Sequence, residues 1–446
     1  MSNICVKRGD KMKKIRIFLV ILSLSLLLAG CGNFRLASSI DDLISPVSPS
    51  GDNAGVQNAV NEYCKSGFLI KMPSSGNYTT SFIFYDLNAD GQNEAVAFYE
   101  PTDDRGTTSL AVLSKSQDEW NVVESIRGEG SDVKSVDFCD VNHDGMDEIL
   151  VCWSVISSAN SYRFCVYRHH ASEEGNALEL ISDPISAGEF ICVDMDEDGF
   201  DEVVVFQLGS TEESPTARLY SFADNRQRLL GETKLDSTII SFENITSGVT
   251  DEGVSVYADA LKTDGNSMVT EFIYWSDYYD SIVSPFYSYS TGRTSDTARD
   301  SVIYSQDIDG DGVIEIPTDR QLDDLPSEIT AHNWVIYDNT VLIHKCYTYS
   351  CKRDSYSLLM DDKIFSDVRV EYDSENRQMT VISNESKGEC FRIVTVIKSA
   401  YDADKTAYAG YTEIFSDSGF VYLARVNENA DIKFSVDDLK SMIKPY

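Results

Sequence analysis

Residues 136–154 read VDFCDVNHDGMDEILVCWS, and this stretch holds the pattern on which much of the chain is built. Short apolar runs flank the segment 140–148, which has Asp or Asn at positions 1, 3 and 5, Gly at position 6 and Glu at position 9. Such short runs of β-branched and aromatic residues are typical of strands rather than helices. The stretch therefore predicts two strands joined by a tight acidic loop.

The same pattern occurs four times along the chain. Its copies are loop 1 (residues 86–94), loop 2 (140–148), loop 3 (194–202) and loop 4 (307–315), so the first three start 54 residues apart and the last starts 113 residues after the third. A degenerate copy at 244–252 fills the double gap, with Asn244, Thr246 and Gly248 at the first three ligand positions. Apolar runs predicted as strands precede the loops at 82–85, 136–138, 190–193 and 302–304.

Two further strands complete each period, for example at 110–113 and 120–123. Four strands per period is the content of one propeller blade. The repeat therefore predicts a mainly β protein, a β-propeller of about five (five to seven) four-stranded blades.

Each acidic loop has the composition of a calcium site. Ca²⁺ binds six to eight oxygen atoms, and positions 1, 3 and 5 of a tight loop supply them from one side. Position 7 offers its backbone carbonyl, which explains its variable side chain, and the carboxylates would repel one another without a cation. We expect up to four structural Ca²⁺ ions and none at the degenerate copy; the alternative is acidic turns that bind nothing. The predicted ligands are Asp86, Asn88, Asp90, Gln92 and Glu94; Asp140, Asn142, Asp144, Met146 and Glu148; Asp194, Asp196, Asp198, Phe200 and Glu202; and Asp307, Asp309, Asp311, Val313 and Glu315.

An EF-hand does not fit these loops, because it requires Glu at position 12 and a following helix. Position 12 is Ala97, Val151, Val205 or Thr318. Residues 80–320 instead resemble the FG-GAP/VCBS-type repeats of integrin-α-like and bacterial surface propellers. That resemblance implies a propeller with calcium in an inter-strand loop of each blade. Glu in place of the family's Asp at position 9 is a departure.

The first thirty residues are typical of a secretory signal: a basic start is followed by an apolar run from 17 to 30. Met12 is an alternative start. The ending Leu28-Ala29-Gly30-Cys31 resembles the lipobox of bacterial lipoproteins, which implies cleavage before Cys31 and a lipid on its thiol. The alternative is an ordinary signal with a chance cysteine. The wider chain resembles uncharacterised Firmicutes lipoproteins, which implies a lipid-anchored protein on the extracytoplasmic face of the cell membrane.

The domain organisation follows from these segments. We expect a signal peptide at 1–30, a flexible tether at 31–55, the propeller at 56–345 and a small α+β domain at 346–446. Short helices are predicted at 55–63 and 435–443. Cys139, Cys152, Cys165 and Cys192 lie in apolar strand patterns and are expected to be small buried hydrophobes, whereas Cys346 and Cys351 are close enough to pair.

Charge and composition narrow the function. With 37 Lys and Arg against 73 Asp and Glu, the net charge of −36 excludes a nucleic-acid binder held by phosphate neutralisation. Five His residues and no recognisable catalytic constellation predict no catalytic residues. Aromatic rings interleaved with Asp and Ser, namely Trp275, Tyr278, Tyr279 and Tyr287, are the candidate ligand-binding residues. The alternative is that these rings pack the fourth blade.

The sequence therefore favours a non-catalytic binding or scaffold module for a glycan or protein ligand. A surface polysaccharide hydrolase or lyase is the alternative. An envelope assembly or signalling component acting through residues 346–446 is a third hypothesis.

Overall fold

The computed structural model describes residues 50–155, 162–172, 175–210 and 213–445. The predicted signal peptide, Cys31 and the tether up to residue 49 lie outside the described residues. The chain divides into two units, Met1–Ala54 and Gly55–Tyr446, and every described strand belongs to the second. The first helix starts at Asp52, so the last residues assigned to the tether are helical.

Six antiparallel sheets of four or five strands follow one another along the chain. Sheet 1 contains β1 (Phe68–Lys71), β2 (Phe82–Tyr85), β3 (Glu94–Pro101), β4 (Ser109–Ser116) and β5 (Glu119–Arg127). Sheet 2 contains β6 (Asp132–Cys139), β7 (Glu148–Ser154), β8 (Tyr162–Ser172), β9 (Gly175–Leu180) and β10 (Ile185–Ala187). Sheet 3 contains β11 (Glu189–Val193), β12 (Glu202–Gln207), β13 (Thr216–Ser221) and β14 (Arg228–Lys234). Sheet 4 contains β15 (Ile239–Thr250), β16 (Gly253–Lys262), β17 (Met268–Ser276) and β18 (Ser281–Val283).

The remaining strands form the C-terminal third. β19 (Tyr287–Ser288) and β20 (Arg293–Thr294) make a small two-stranded ribbon. Sheet 5 contains β21 (Ile316–Asp319), β22 (Ile329–Asp338), β23 (Val341–Cys351) and β24 (Tyr356–Met360), and sheet 6 contains β25 (Val368–Asp373), β26 (Gln378–Ser383), β27 (Glu389–Ile397), β28 (Thr412–Ser416) and β29 (Phe420–Val426). β30 (Ile443–Pro445) returns to pair with β24. The helices are α1 (Asp52–Tyr63), α2 (Asp362–Asp367), α3 (Lys398–Ala403) and α4 (Val436–Met442).

Consecutive sheets pack face to face, because alternate residues of each strand point to opposite sides. In β7, Ile149 and Val151 join the core shared with sheet 1, whereas Leu150 and Cys152 join the core shared with sheet 3. The same alternation links sheet 3 to sheet 4, sheet 4 to sheet 5 and sheet 5 to sheet 6. Strands buried on both faces explain the continuous apolar runs in the sequence.

The first strands of sheets 2, 3 and 4 meet around one cavity of about 340 Å³. Parts of β6, β11 and β15 line it, together with residues 75–77 just before β2. Face-to-face sheets whose first strands converge on one axis are the arrangement of propeller blades. The predicted fold class, a mainly β propeller, is confirmed, with antiparallel sheets of four or five strands.

The last predicted blade and the tail are joined differently from the expectation. The predicted boundary at 345/346 falls inside β23, and sheet 5 continues beyond it to Met360. One continuous core contains residues of sheet 5, sheet 6 and α4. α4 itself matches its prediction, with Ser435 as N-cap in a capping box with Asp438.

Two local expectations are wrong. Residues 302–304 form no strand; only an isolated bridge joins Gln306 to Glu315. Cys139 and Cys192 are joined in a disulfide rather than serving as separate small hydrophobes. Cys346 and Cys351, which were close enough in sequence to pair, are both free and buried.

Within the described part of the chain, no helix has the length and apolarity needed to cross a membrane.

Candidate metal centre

The four acidic loops fold in the same way, because the side chain at position 1 binds the backbone of the same loop. In loop 1, Asp86 accepts hydrogen bonds from the N–H groups of Asp90 (3.1 Å) and Gly91 (2.9 Å). Asp140 and Asp307 make the equivalent pair of bonds, and Asp194 accepts from Gly199 at 3.1 Å. These bonds turn the loop back on itself, and in loop 4 the carboxylate oxygens of positions 1, 3 and 5 lie within 4.8 Å of one another.

Position 6 is Gly in every loop for a conformational reason. Its φ angle is +85°, +87°, +91° and +91° in loops 1 to 4. Side chains disfavour this left-handed region, whereas Gly adopts it without a steric cost. The backbone conformation of the turn therefore explains why Gly recurs at position 6.

The Glu at position 9 begins the strand after each loop and points back into the loop. Glu94, Glu148, Glu202 and Glu315 are all at least 96% buried. In loops 1, 3 and 4 this carboxylate accepts the N–H of position 2, and in loop 2 it accepts the N–H of Asn142. The side chain closes the base of the loop from the protein interior.

Burial raises the pKa of these glutamates, which makes them weaker acids than usual. Loss of solvation, reinforced by the neighbouring aspartates, raises the pKa of Glu148 and of Glu202 to about 8. The pKa of Glu94 and that of Glu315 are raised for the same first reason. A carboxylate held in this way is stabilised either by a proton or by a nearby cation.

Loop 3 fits a cation best. Oxygen atoms of Asp194, Asp196 and Glu202 lie within 4.8 Å of one another. The Oδ1 atom of Asp194 is buried and has no hydrogen-bond partner. A buried carboxylate oxygen without a partner, facing two further carboxylates, matches the oxygen donor set that Ca²⁺ prefers.

Loops 2 and 4 each carry a basic side chain. The Arg168 guanidinium lies 2.7 Å from Asp144 Oδ2 at the outer side of loop 2. In loop 4, oxygen atoms of Asp307, Asp309 and Asp311 converge within 4.8 Å, and the Lys345 ammonium lies 2.6 Å from Asp311 Oδ2. Sequence reasoning missed both basic residues, because they come from distant strands and no local motif marks them.

Neighbouring loops touch one another in a repeated way. Tyr85, the residue before loop 1, donates its hydroxyl to Asp147 at position 8 of loop 2. The equivalent Cys139 Sγ lies 3.4 Å from Asp201 Oδ2 at position 8 of loop 3. The His143 ring also stacks on Phe200, with centroids 4.0 Å apart. The three loops are therefore connected across the faces of their sheets.

The degenerate copy forms no loop. β15 runs through residues 244–250 and pairs with β16 as far as Thr250 opposite Gly253. Asn244, which replaces the first ligand, donates its side-chain N–H to Asp259 Oδ2 at 2.9 Å. The expected lack of metal there stays a prediction.

The aromatic candidates divide into two pairs. Tyr278 and Tyr279 lie on the turn between β17 and β18, are 87% and 67% exposed, and meet edge to face at 4.8 Å. Trp275 packs against the core of sheets 3 and 4, and Tyr287 is nearly buried. Tyr289, which contacts Tyr287 at 5.0 Å, is 76% exposed. Only the exposed rings are available to a ligand.

Comparison with known proteins finds similarity in structure. No protein family model matches the chain, and no curated protein matches it. Sqt1 from Chaetomium thermophilum is similar with 9% identity and a TM-score of 0.33, over 68% of this chain and 78% of that one. The rhamnogalacturonan lyase PL11 of Bacillus licheniformis is similar with 11% identity and a TM-score of 0.28, over 73% of each chain.

Proposed function

We propose that this chain is a calcium-stabilised propeller of the FG-GAP/VCBS repeat type that binds a glycan or protein ligand without chemical turnover. One observation supports it above others: the position-1 Asp binds the loop backbone in all four loops, each loop has a buried glutamate at position 9, and in loops 3 and 4 three carboxylates converge within 4.8 Å. Structural ions in such loops would hold each strand pair in place and stabilise the fold by linkage.

The first experiment measures thermal unfolding of the purified full chain with a chelator, with calcium and with magnesium, alongside metal counting. We expect calcium to raise the melting temperature and magnesium to do so much less, because Mg²⁺ demands a stricter octahedral geometry. Asp194→Asn is expected to remove one bound ion. Its matched control is Asp264→Asn, which changes an acidic turn outside the loops. Equal melting temperatures in calcium and chelator would contradict the proposal.

Ligand binding is assigned to the exposed tyrosines of the β17–β18 turn. Adjacent exposed rings offer flat apolar faces with polar edges, which suit both sugar rings and peptide segments. We expect the double change Tyr278→Ala with Tyr279→Ala to abolish binding in glycan and protein screens. Tyr63→Ala, a change at an exposed ring of α1, is the control and should leave binding intact.

Anchoring belongs to the same proposal and rests on the sequence around Cys31. We propose a lipid on the Cys31 thiol that holds the protein on the extracytoplasmic face of the membrane. Cys31→Ser is expected to release the chain from the membrane fraction and to abolish incorporation of labelled palmitate. If Cys31→Ser stays in the membrane fraction although it incorporates no labelled palmitate, the lipid anchor is refuted.

A further inference from the structure

Lys345 forms ion pairs with three acidic side chains of loop 4. It lies in β23, and its Nζ atom is 2.6 Å from Asp311 Oδ2, 2.6 Å from Glu315 Oε1 and 3.4 Å from Asp309 Oδ2. These three carboxylates are positions 5, 9 and 3 of the loop, which are three of its predicted calcium ligands. The lysine side chain is only 19% exposed.

The Lys345 ammonium can compensate the negative charge of the loop 4 carboxylates without a metal ion. Its three N–H donors match three carboxylates, and its charge offsets their mutual repulsion. A Ca²⁺ ion coordinated by the same oxygens would stand within contact distance of the ammonium, and two like charges there repel strongly. Cation and lysine therefore exclude each other from loop 4.

The other loops lack this arrangement. Among the described residues, no Lys or Arg forms an ion pair with loop 1 or loop 3. Arg168 reaches a single oxygen at the outer side of loop 2, Asp144 Oδ2, and makes no ion pair with Glu148. In the part of the chain that the structure describes, loop 4 alone has a basic side chain bound to the buried glutamate at position 9.

We propose that Lys345 replaces calcium in loop 4, so that the chain holds metal in loops 1 to 3 and a built-in ammonium in the fourth. This inference rests on the proposed calcium binding of the other loops. It divides four similar sequence motifs into three metal sites and one metal-independent turn.

The test is calcium counting by calorimetry and elemental analysis on the full chain and on Lys345→Met, which keeps the apolar stem. We expect at most three ions on the natural chain and one more on the variant. Lys71→Met is the matched control, because Lys71 is 20% exposed and pairs with two carboxylates outside the loops, Glu100 at 3.1 Å and Asp132 at 3.4 Å. This control should leave the count unchanged.

A second pair of variants keeps the test decisive if Lys345→Met does not fold. Asp307→Asn is expected to leave the calcium count of the natural chain unchanged, whereas Asp194→Asn lowers it by one. Four ions on the natural chain, with one lost in Asp307→Asn, would overturn the lysine replacement and leave the proposed function standing. No ion on the natural chain but one on Lys345→Met would support the replacement and refute calcium binding by loops 1 to 3. No ion on either protein would overturn both.

Discussion

Glu271 shows how a single buried residue makes the stability of the fold depend on pH. It lies in β17, is fully buried, and accepts hydrogen bonds from the Asp236 N–H and from the hydroxyls of Ser284 and Thr294. Burial raises the pKa of its carboxyl to about 7, against an opposing effect of these donors. The protonated acid is therefore favoured in the folded chain more than in the unfolded chain.

We predict that Glu271→Gln removes this dependence. In the unfolded chain Glu271 ionises near pH 4.5, whereas in the folded chain it ionises near pH 7, so its contribution to stability is present at low pH and is lost as the pH rises between these values. The free energy of unfolding of the variant, relative to the natural chain, should rise by about 3 kcal/mol between pH 4.5 and pH 8. Urea unfolding at both pH values measures it.

Glu119→Gln is the control for this experiment, since Glu119 is an exposed residue at the start of β5. It should follow the natural chain at both pH values. If the difference in unfolding free energy between Glu271→Gln and the natural chain is the same at both pH values, Glu271 ionises alike in the folded and the unfolded chain.

Arg299 is a buried charge on which the segment before loop 4 depends. Its guanidinium donates to Asp259 Oδ1 at 2.8 Å and to the Ile303 carbonyl oxygen, and both charged side chains are completely buried. We predict that Arg299→Met costs about 3–5 kcal/mol of unfolding free energy, because Asp259 is left as an unpaired buried charge. Adding Asp259→Asn, which removes the charge but keeps an acceptor for the Ser305 N–H, should recover part of that loss. Urea unfolding of the single and double variants is the measurement.

The exposed pair Arg369–Glu371 provides the comparison, with a separation of 3.2 Å. Arg369→Met should cost no more than about 1 kcal/mol, since exposed ion pairs contribute little. If Arg299→Met costs no more than this control, the buried pair does not hold the segment.

The sequence predicts residues of the site only where they are local to a motif. The Asp, Gly and Glu positions of the loops follow from spacing, and the structure shows why: each position-1 Asp binds the backbone N–H group five residues further on, and in loops 1, 2 and 4 also the one four residues further on. Lys345 joins Glu315 across 30 residues and Arg299 joins Asp259 across 40. Such pairs depend on strand register, which a local pattern does not contain.

At the scale of elements, the strands after loops 1 to 3 were predictable because each is a short apolar run buried on both faces. The run at 302–304 has the same composition but forms no strand. The backbone there is bound instead by side chains: Arg299 binds the Ile303 carbonyl oxygen, and Asp259 accepts the Ser305 N–H at 2.7 Å. A polar network replaced the ladder that the apolar pattern predicted.

The disulfide between Cys139 and Cys192 joins the first strands of sheets 2 and 3. The two residues are 53 apart, close to one repeat, so the spacing was a signal for equivalent positions in adjacent sheets. We predict that a reductant lowers the unfolding free energy by up to about 4 kcal/mol, the chain-entropy value for a loop of this length. Urea unfolding with and without dithiothreitol measures the change.

The double variant Cys139→Ser with Cys192→Ser supplies the control. Reductant should have no effect on it, since the remaining described cysteines are free. A natural chain that is equally stable in both buffers would mean that this disulfide constrains little.

At the scale of the molecule, the observed sheets depart most from the repeat pattern at the expected domain boundary after residue 345. The sequence shows where the acidic repeat stops, and that favoured a boundary at residue 345. It does not show that β23 crosses this boundary or that β30 pairs with β24 from the far end of the chain. Shared packing, rather than repeat length, determines which residues unfold together.

Leu439 tests this cooperativity directly. It is fully buried on α4, in the core that sheet 5 shares with sheet 6. We predict that Leu439→Ala costs about 2–5 kcal/mol of unfolding free energy through the cavity it leaves.

All four Trp residues lie before residue 346, in sheets 1, 2, 4 and 5, so their fluorescence reports on the propeller sheets alone. If Gly55–Tyr446 unfolds as one unit, the fluorescence midpoint in urea must fall together with the midpoint from circular dichroism. Ser441→Ala, on the exposed side of α4, should move neither midpoint. A tail that unfolds independently would leave the Trp midpoint of Leu439→Ala unchanged and give a second, earlier transition in circular dichroism.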